Sequence, residues 1–202
     1  MERKELPHNL VKFFYTDPSE GKKNSDNAAS GVFSIWEGNI VIWEVIAINH
    51  PFSTYIGHRD VNGDWVSGEY DLLVQRHGGT TQSIHTFENK SAGPQIVSYL
   101  KSRTNYRTKE DKIPNIPKLD RVKMCMSTIK TGRVILIDEG NWVQPFLDEC
   151  QDFTGYGSNE IDDRVDVLSG IIRISMNDLV GSIFQYKEPV KEEPSLVEML
   201  IN

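Results

Sequence analysis

The chain has 202 residues, of which 38% are hydrophobic and 25% charged, and a formal net charge of −7. That length supports one sizeable core with loops and a tail better than two full domains. No apolar run reaches membrane-spanning length and the amino terminus lacks the apolar centre of a secretory signal, so an intracellular site of action is expected.

Leu10 to Tyr15 reads as a buried strand that ends at Thr16-Asp17-Pro18, and the turn-rich stretch from Ser19 to Asn27 follows. Asp17 is therefore expected at a strand end. Ser30 to Ile35 and Asn39 to Ile48 read as two further strands joined at Trp36-Glu37-Gly38-Asn39, and three adjacent antiparallel strands are the simplest arrangement. Between Asn49 and Gly79 the glycines leave two readings open, a short hairpin over Asp60 to Val66 or a helix over residues 69–77. Gln82 to Phe87 reads as a short strand running into Glu88, with a helix after it that turns Ile96, Val97 and Leu100 inward. Residues 104–116 read as a charged surface loop. Pro117 to Lys130 suits a helix with Leu119, Val122, Met126 and Ile129 on one face; Met124 and Met126 are expected in the core or at its margin. Gly132 to Ile137 is a strand signal, and Trp142 to Phe153 reads as an amphipathic helix with Phe146, Leu147 and Cys150 inward. A last, acid-rich helix starts near Glu160 and continues through Leu168, Ile171 and Ile172. Residues 1–186 are expected as one domain, and residues 187–202 as an acidic tail or linker.

The charges are unevenly spread. Residues 101–133 carry 10 basic and 3 acidic side chains, whereas residues 134–202 carry 4 and 14. A basic middle beside an acidic flank is compatible with phosphate contact next to a carboxylate site, and equally with a solvated helix face. Cys125 and Cys150 have no CxxC partner and no histidines at zinc spacing, which makes them reduced, partly buried thiols. A P-loop, a GxSxG elbow, an HExxH helix and a dinucleotide fingerprint are all absent from the sequence.

Asp163 and Asp166 place two carboxylates one turn apart where the last helix begins, with Asn159 as its expected cap and Asp162 at its third position. A solvated first turn would explain them, were it not for Asp17 and Glu88 at two separate strand ends. Acids brought together in this way suit Mg²⁺ or Mn²⁺, which prefer oxygen ligands. Two such ions can assist phosphodiester hydrolysis without a nucleophilic side chain.

Four ordered signals carry a resemblance. They are Val11 to Pro18 with Ser25-Asp26 downstream; Ile84-His85-Thr86-Phe87-Glu88-Asn89-Lys90-Ser91-Ala92-Gly93; Asp120-Arg121-Val122 leading to Gly132-Arg133-Val134; and Ile161-Asp162-Asp163-Arg164-Val165-Asp166-Val167-Leu168-Ser169. Together, over about residues 9–175, the sequence resembles the carboxy-terminal nuclease domain of the large terminase subunit of tailed bacteriophages, in the ribonuclease H-like superfamily. The resemblance implies an α/β fold with a central mixed sheet of about five or more strands flanked by helices. It also implies a metal-dependent endonuclease that cuts concatemeric viral double-stranded DNA during genome packaging, with two Mg²⁺ or Mn²⁺ ions per site. Asp17, Glu88 and Asp163 match the catalytic metal ligands. Asp166 matches a further, more variable acid, and Asp26 and Asp162 are auxiliary acidic positions. Where relatives often carry a histidine or another polar residue before the paired aspartates, this chain has Ile161.

Lys118, Arg121, Lys123, Lys130 and Arg133 are candidate DNA-phosphate contacts. The expected partners are double-stranded DNA, the portal protein, the small terminase subunit and an amino-terminal ATPase domain. The expected location is the host cytoplasm at the procapsid. Two alternatives stand beside this reading: a nuclease resembling Holliday-junction resolvases, and a non-catalytic packaging module that docks to the portal.

Overall fold

A computed structural model describes residues 5–18, 28–48, 52–80, 82–113, 115–155 and 162–176. In the first strand, β1 (Phe13–Asp17), Phe14 and Tyr15 are both fully buried but belong to different apolar clusters. This is the alternation of a strand covered on both faces. β2 (Ala28–Trp36) pairs antiparallel with β1, from Phe13↔Phe33 to Asp17↔Ala29, and β3 (Asn39–Ile48) pairs antiparallel with β2. The β2–β3 hairpin turns through Glu37 and Gly38, both at positive φ (49° and 77°), a combination that suits the twist of the flanking strands.

Both readings of the glycine-rich segment are realised, one after the other. After α1 (Phe52–Ile56), β4 (Gly57–Arg59) and β5 (Trp65–Ser67) form a two-stranded ribbon, and α2 (Glu69–His77) follows it. β6 (Ile84–Glu88) lies parallel beside β1, and α3 (Gly93–Arg103) buries Ile96, Val97 and Leu100 as expected.

The expected surface loop over 104–116 instead contains a strand, β7 (Arg107–Asp111), parallel to β6 at the sheet edge. Only Asp111 in it is buried. Its strand character comes from backbone pairing with β6, so no apolar alternation marks it, and its charged side chains suit an exposed edge.

α4 (Lys118–Lys130), β8 (Val134–Leu136), α5 (Val143–Asp152) and α6 (Asp163–Ile174) complete the described elements. Met124 is 63% exposed on the outside of α4, unlike Met126, which packs against the core. The six-stranded sheet has the order β7-β6-β1-β2-β3-β8, and β2 alone runs against the other strands. One cluster joins Tyr15, Phe33, Ile40 and Ile42 to α4, α5 and α6; the other joins Phe14, Val32, Val41 and Phe87 to α1, α2 and α3. The result is the expected mixed sheet between two helical layers, a ribonuclease H-like arrangement.

α6 crosses the sheet at very short range. A Cβ on Gly170 would lie 2.1 Å from Tyr15 Cε1, and one on Gly31 of β2 would lie 2.8 Å from Val167 Cγ1. These two glycines let the helix backbone settle onto β1 and β2. No helix among the described residues is long and apolar enough to cross a membrane. The expected tail, residues 187–202, lies outside the described residues, as do Asp26 and Asn159.

Candidate active site

Asp17 and Glu88 end two neighbouring parallel strands, and the register Thr16↔Phe87 places them side by side. They share the sheet face that α6 covers, because Tyr15, two residues before Asp17, packs in that layer and donates from Oη to Glu88 Oε1 at 2.8 Å. Asp163 and Asp166 open α6. The relative exposures are 7% for Asp17, 0% for Glu88, 6% for Asp163 and 4% for Asp166. A solvated, acid-rich first turn is excluded by that burial.

The start of α6 differs in detail from expectation. Asp162 occupies the N-cap position rather than the third helical one. The free donors of the first turn are satisfied from α5, where Glu149 Oε1 accepts from the backbone N–H of Arg164 and from that of Val165 at 3.3 Å. Glu149 Oε2 also takes the Arg164 guanidinium at 2.7 Å. With a neighbouring carboxylate supplying the cap, Asp163 and Asp166 are not needed for that purpose.

Buried carboxylates need cations, and two lysines supply them. Lys90 Nζ lies 3.2 Å from Asp17 Oδ2 and 2.9 Å from Glu88 Oε2. Lys118 Nζ lies 2.7 Å from both Asp162 Oδ1 and Asp166 Oδ2, and Arg121 Nη2 reaches Asp166 Oδ1 at 3.3 Å. Burial, and then repulsion from Glu88 and Asp166, push the Asp17 carboxyl well above the usual carboxylate range, even with Lys90 opposing. Burial works against the Lys90 ammonium, but Asp17 and Glu88 hold it above the ordinary lysine range. Asp166 acts on both groups, so the acids of β1, β6 and α6 form one electrostatic unit.

Behind Glu88 lies a second layer of partners. Tyr15 Oη is 3.0 Å from Asp111 Oδ2 as well as 2.8 Å from Glu88, and Arg173 of α6 donates to Tyr15 Oη at 3.1 Å and to Asp111 Oδ1 at 3.0 Å. Burial first, and the two carboxylates next, push the Tyr15 phenol well up, which keeps it a proton donor.

Of the basic candidates, Lys118 and Arg121 are thus engaged with the acids. Lys123 is 62% exposed beside Asp120, and Lys130 is half-buried. Arg133 is 7% exposed. Sequence reasoning overlooked Lys90, Tyr15, Asp111, Glu149 and Arg173. Only Lys90 carried a local signal, as the one basic residue at the strand end that supplies Glu88.

The donor set fits a hard divalent cation, since the buried ligand candidates are all carboxylates. Among the described residues no three acidic, histidine or cysteine side chains already converge in ligating geometry. The lysines are interposed instead.

No protein-family profile matches the chain, and no curated protein matches it in sequence. Solved structures do. The human cytomegalovirus terminase nuclease domain superposes with a TM-score of 0.57 at 10% identity, covering 90% of this chain and 91% of that one. The large terminase of a thermophilic bacteriophage matches with a TM-score of 0.56 at 8% identity over 83% of this chain and 41% of that one. The cytomegalovirus domain soaked with Mn and bound to an inhibitor gives 0.55 at 12% identity, over 89% and 88%. The fold is that of a terminase nuclease domain. Within this terminase-nuclease fold the buried acids lie at the ends of β1 and β6 and at the start of α6.

Proposed function

We propose that this chain is a divalent-metal-dependent DNA endonuclease acting in viral genome packaging, where it cuts concatemeric double-stranded DNA. The observation that carries this reading is the electrostatic coupling of Asp17, Glu88 and Asp166, buried acids from three separate segments, with Asp163 buried one turn before Asp166. A core gains nothing from collecting unlike-partnered acids in this way, because each carboxylate raises the energy of its neighbours. Likeness to nuclease domains of terminases, one of them Mn-soaked, supports the same assignment.

In this reading Asp17, Glu88 and Asp163 hold Mg²⁺ or Mn²⁺, with Asp166 as a further ligand and Asp162 as an auxiliary acid. Two bound ions would supply Lewis-acid stabilisation of the attacking and leaving oxygens. Glu149 fixes the start of α6, and Tyr15 with Asp111 and Arg173 fixes the Glu88 carboxylate. Lys123, exposed on α4, remains a candidate for DNA-phosphate contact. Docking to the portal and the small terminase subunit, and an attached ATPase domain, belong to the same proposal.

The test is plasmid cleavage with EDTA, Mg²⁺ or Mn²⁺, comparing the wild type with Asp163→Asn. The substitution nearly preserves volume, so a normal fold is expected, with ion-dependent cutting reduced by roughly 100-fold or more. Equal cutting by the variant, or no wild-type cutting with any ion, would sink the assignment. The second outcome would favour a non-catalytic module that docks to the portal.

A further inference from the structure

The place between Asp17 Oδ2 and Glu88 Oε2 is where a cation is most needed, and a side chain of the protein fills it. The two acids are 7% and 0% exposed, whereas the Lys90 side chain keeps 40% of its surface in contact with solvent. The acids therefore cannot leave, while the ammonium on its four-carbon stem can. Its backbone is fixed by a tight turn. Ser91 has a φ of 48°, Gly93 N–H donates to Lys90 O at 2.9 Å, and a Cβ on Gly93 would lie 1.9 Å from the Glu88 carbonyl oxygen. Movement of Lys90 is thus confined to its side chain.

A single ammonium faces two carboxyl groups here. A divalent ion would bring twice the charge to the same place. We propose that Lys90 is an internal counter-cation that holds Asp17 and Glu88 in the metal-free protein and is displaced by the entering divalent ion. Lysine and metal compete for one position, which weakens ion binding but keeps the acids together until an ion arrives. This inference rests on the metal-dependent reading above.

The test measures Mn²⁺ affinity by electron paramagnetic resonance, without DNA, for the full chain as wild type, Lys90→Gln, Asp17→Asn and Lys101→Gln. The last is a charge-loss control at an exposed position on α3. Lys90→Gln is expected to bind Mn²⁺ about five- to ten-fold more tightly than wild type. Asp17→Asn should bind more weakly and Lys101→Gln unchanged. A second measurement needs no variant: acylation of Lys90 by an N-hydroxysuccinimide ester, followed by mass spectrometry, should accelerate several-fold at saturating Mg²⁺. Should Lys90→Gln fail to fold, the acylation rate decides alone.

Equal or weaker binding by Lys90→Gln would overturn the competition. The metal reading would survive that result if the wild type bound Mn²⁺ and Asp17→Asn did not. Absence of Mn²⁺ binding from both wild type and Lys90→Gln would overturn the competition and the metal reading together.

Discussion

Tyr15 Oη has one proton and two carboxylate neighbours, Glu88 at 2.8 Å and Asp111 at 3.0 Å. Asp111 already holds the Arg173 guanidinium, which also donates to the tyrosine oxygen. The phenolic proton therefore matters more to Glu88, whose other partner is the partly exposed Lys90 ammonium. Tyr15→Phe would leave the ring packing in place and remove that donor together with the oxygen that accepts from Arg173. A buried hydrogen bond to a charged group contributes about 1.5–3 kcal/mol, and loss of an outer partner of a metal ligand weakens ion binding by roughly 10-fold to 100-fold. We expect Tyr15→Phe to lower Mn²⁺ affinity by at least about ten-fold with the fold retained, as read by calorimetric titration and circular dichroism. Unchanged affinity would show that Glu88 is held without the tyrosine.

At the level of elements, α6 comes close enough for Asp166 to act on Asp17, and its backbone lies against β1 at Gly170. Alanine at that position has opposing effects. It favours the helix by about 1 kcal/mol through propensity, while its methyl group would meet the Tyr15 ring, whose hydrogen bonds to Glu88 and Asp111 prevent it from yielding. Overpacking wins, at about 1–3 kcal/mol. Gly170→Ala should lower the urea midpoint and, by lifting α6, weaken ion binding too; a stabilised variant would contradict this packing. The glycine was visible in the sequence, but its role was not, since its neighbour Tyr15 lies far away in the chain. The same limit explains what could be read beforehand. Asp17, Glu88 and the Asp163/Asp166 pair announce themselves because each stands at the boundary of a locally recognisable strand or helix. The β2–β3 hairpin and the inward face of α3 were legible for the same reason. β7 was not, because its order comes from pairing with β6. Nor were Tyr15, Asp111 and Arg173, whose bonds to one another span 62 to 158 residues of sequence.

Across the whole molecule, the acid site on one sheet face depends on a dry layer beneath it. His85 of β6, three residues before Glu88, is fully buried on the opposite face, stacked on Phe14 at 4.5 Å and Tyr106 at 4.4 Å between centroids. Its Nδ1 meets Tyr70 Oη at 2.7 Å. Burial pushes the His85 pKa down from 6.5 to about 3, so the folded protein keeps this imidazole neutral where the unfolded chain would protonate it. Above the unfolded pKa the residue is neutral in both states and adds no pH dependence. As pH falls from about 6.5 toward the folded value, the unfolded state binds one more proton, and stability is lost at about 1.4 kcal/mol per pH unit. His85→Phe cannot titrate. At pH 7.5 it should be less stable than the wild type by about 1–3 kcal/mol, because the Tyr70 hydroxyl loses a buried partner. By pH 5 the two should have converged by about 2 kcal/mol, since one proton's worth of linkage is missing from the variant. Urea unfolding at both pH values measures the convergence. Parallel pH dependence would mean that His85 is protonated in the folded protein, or that the acid sensitivity of the sheet resides wholly in its carboxylates.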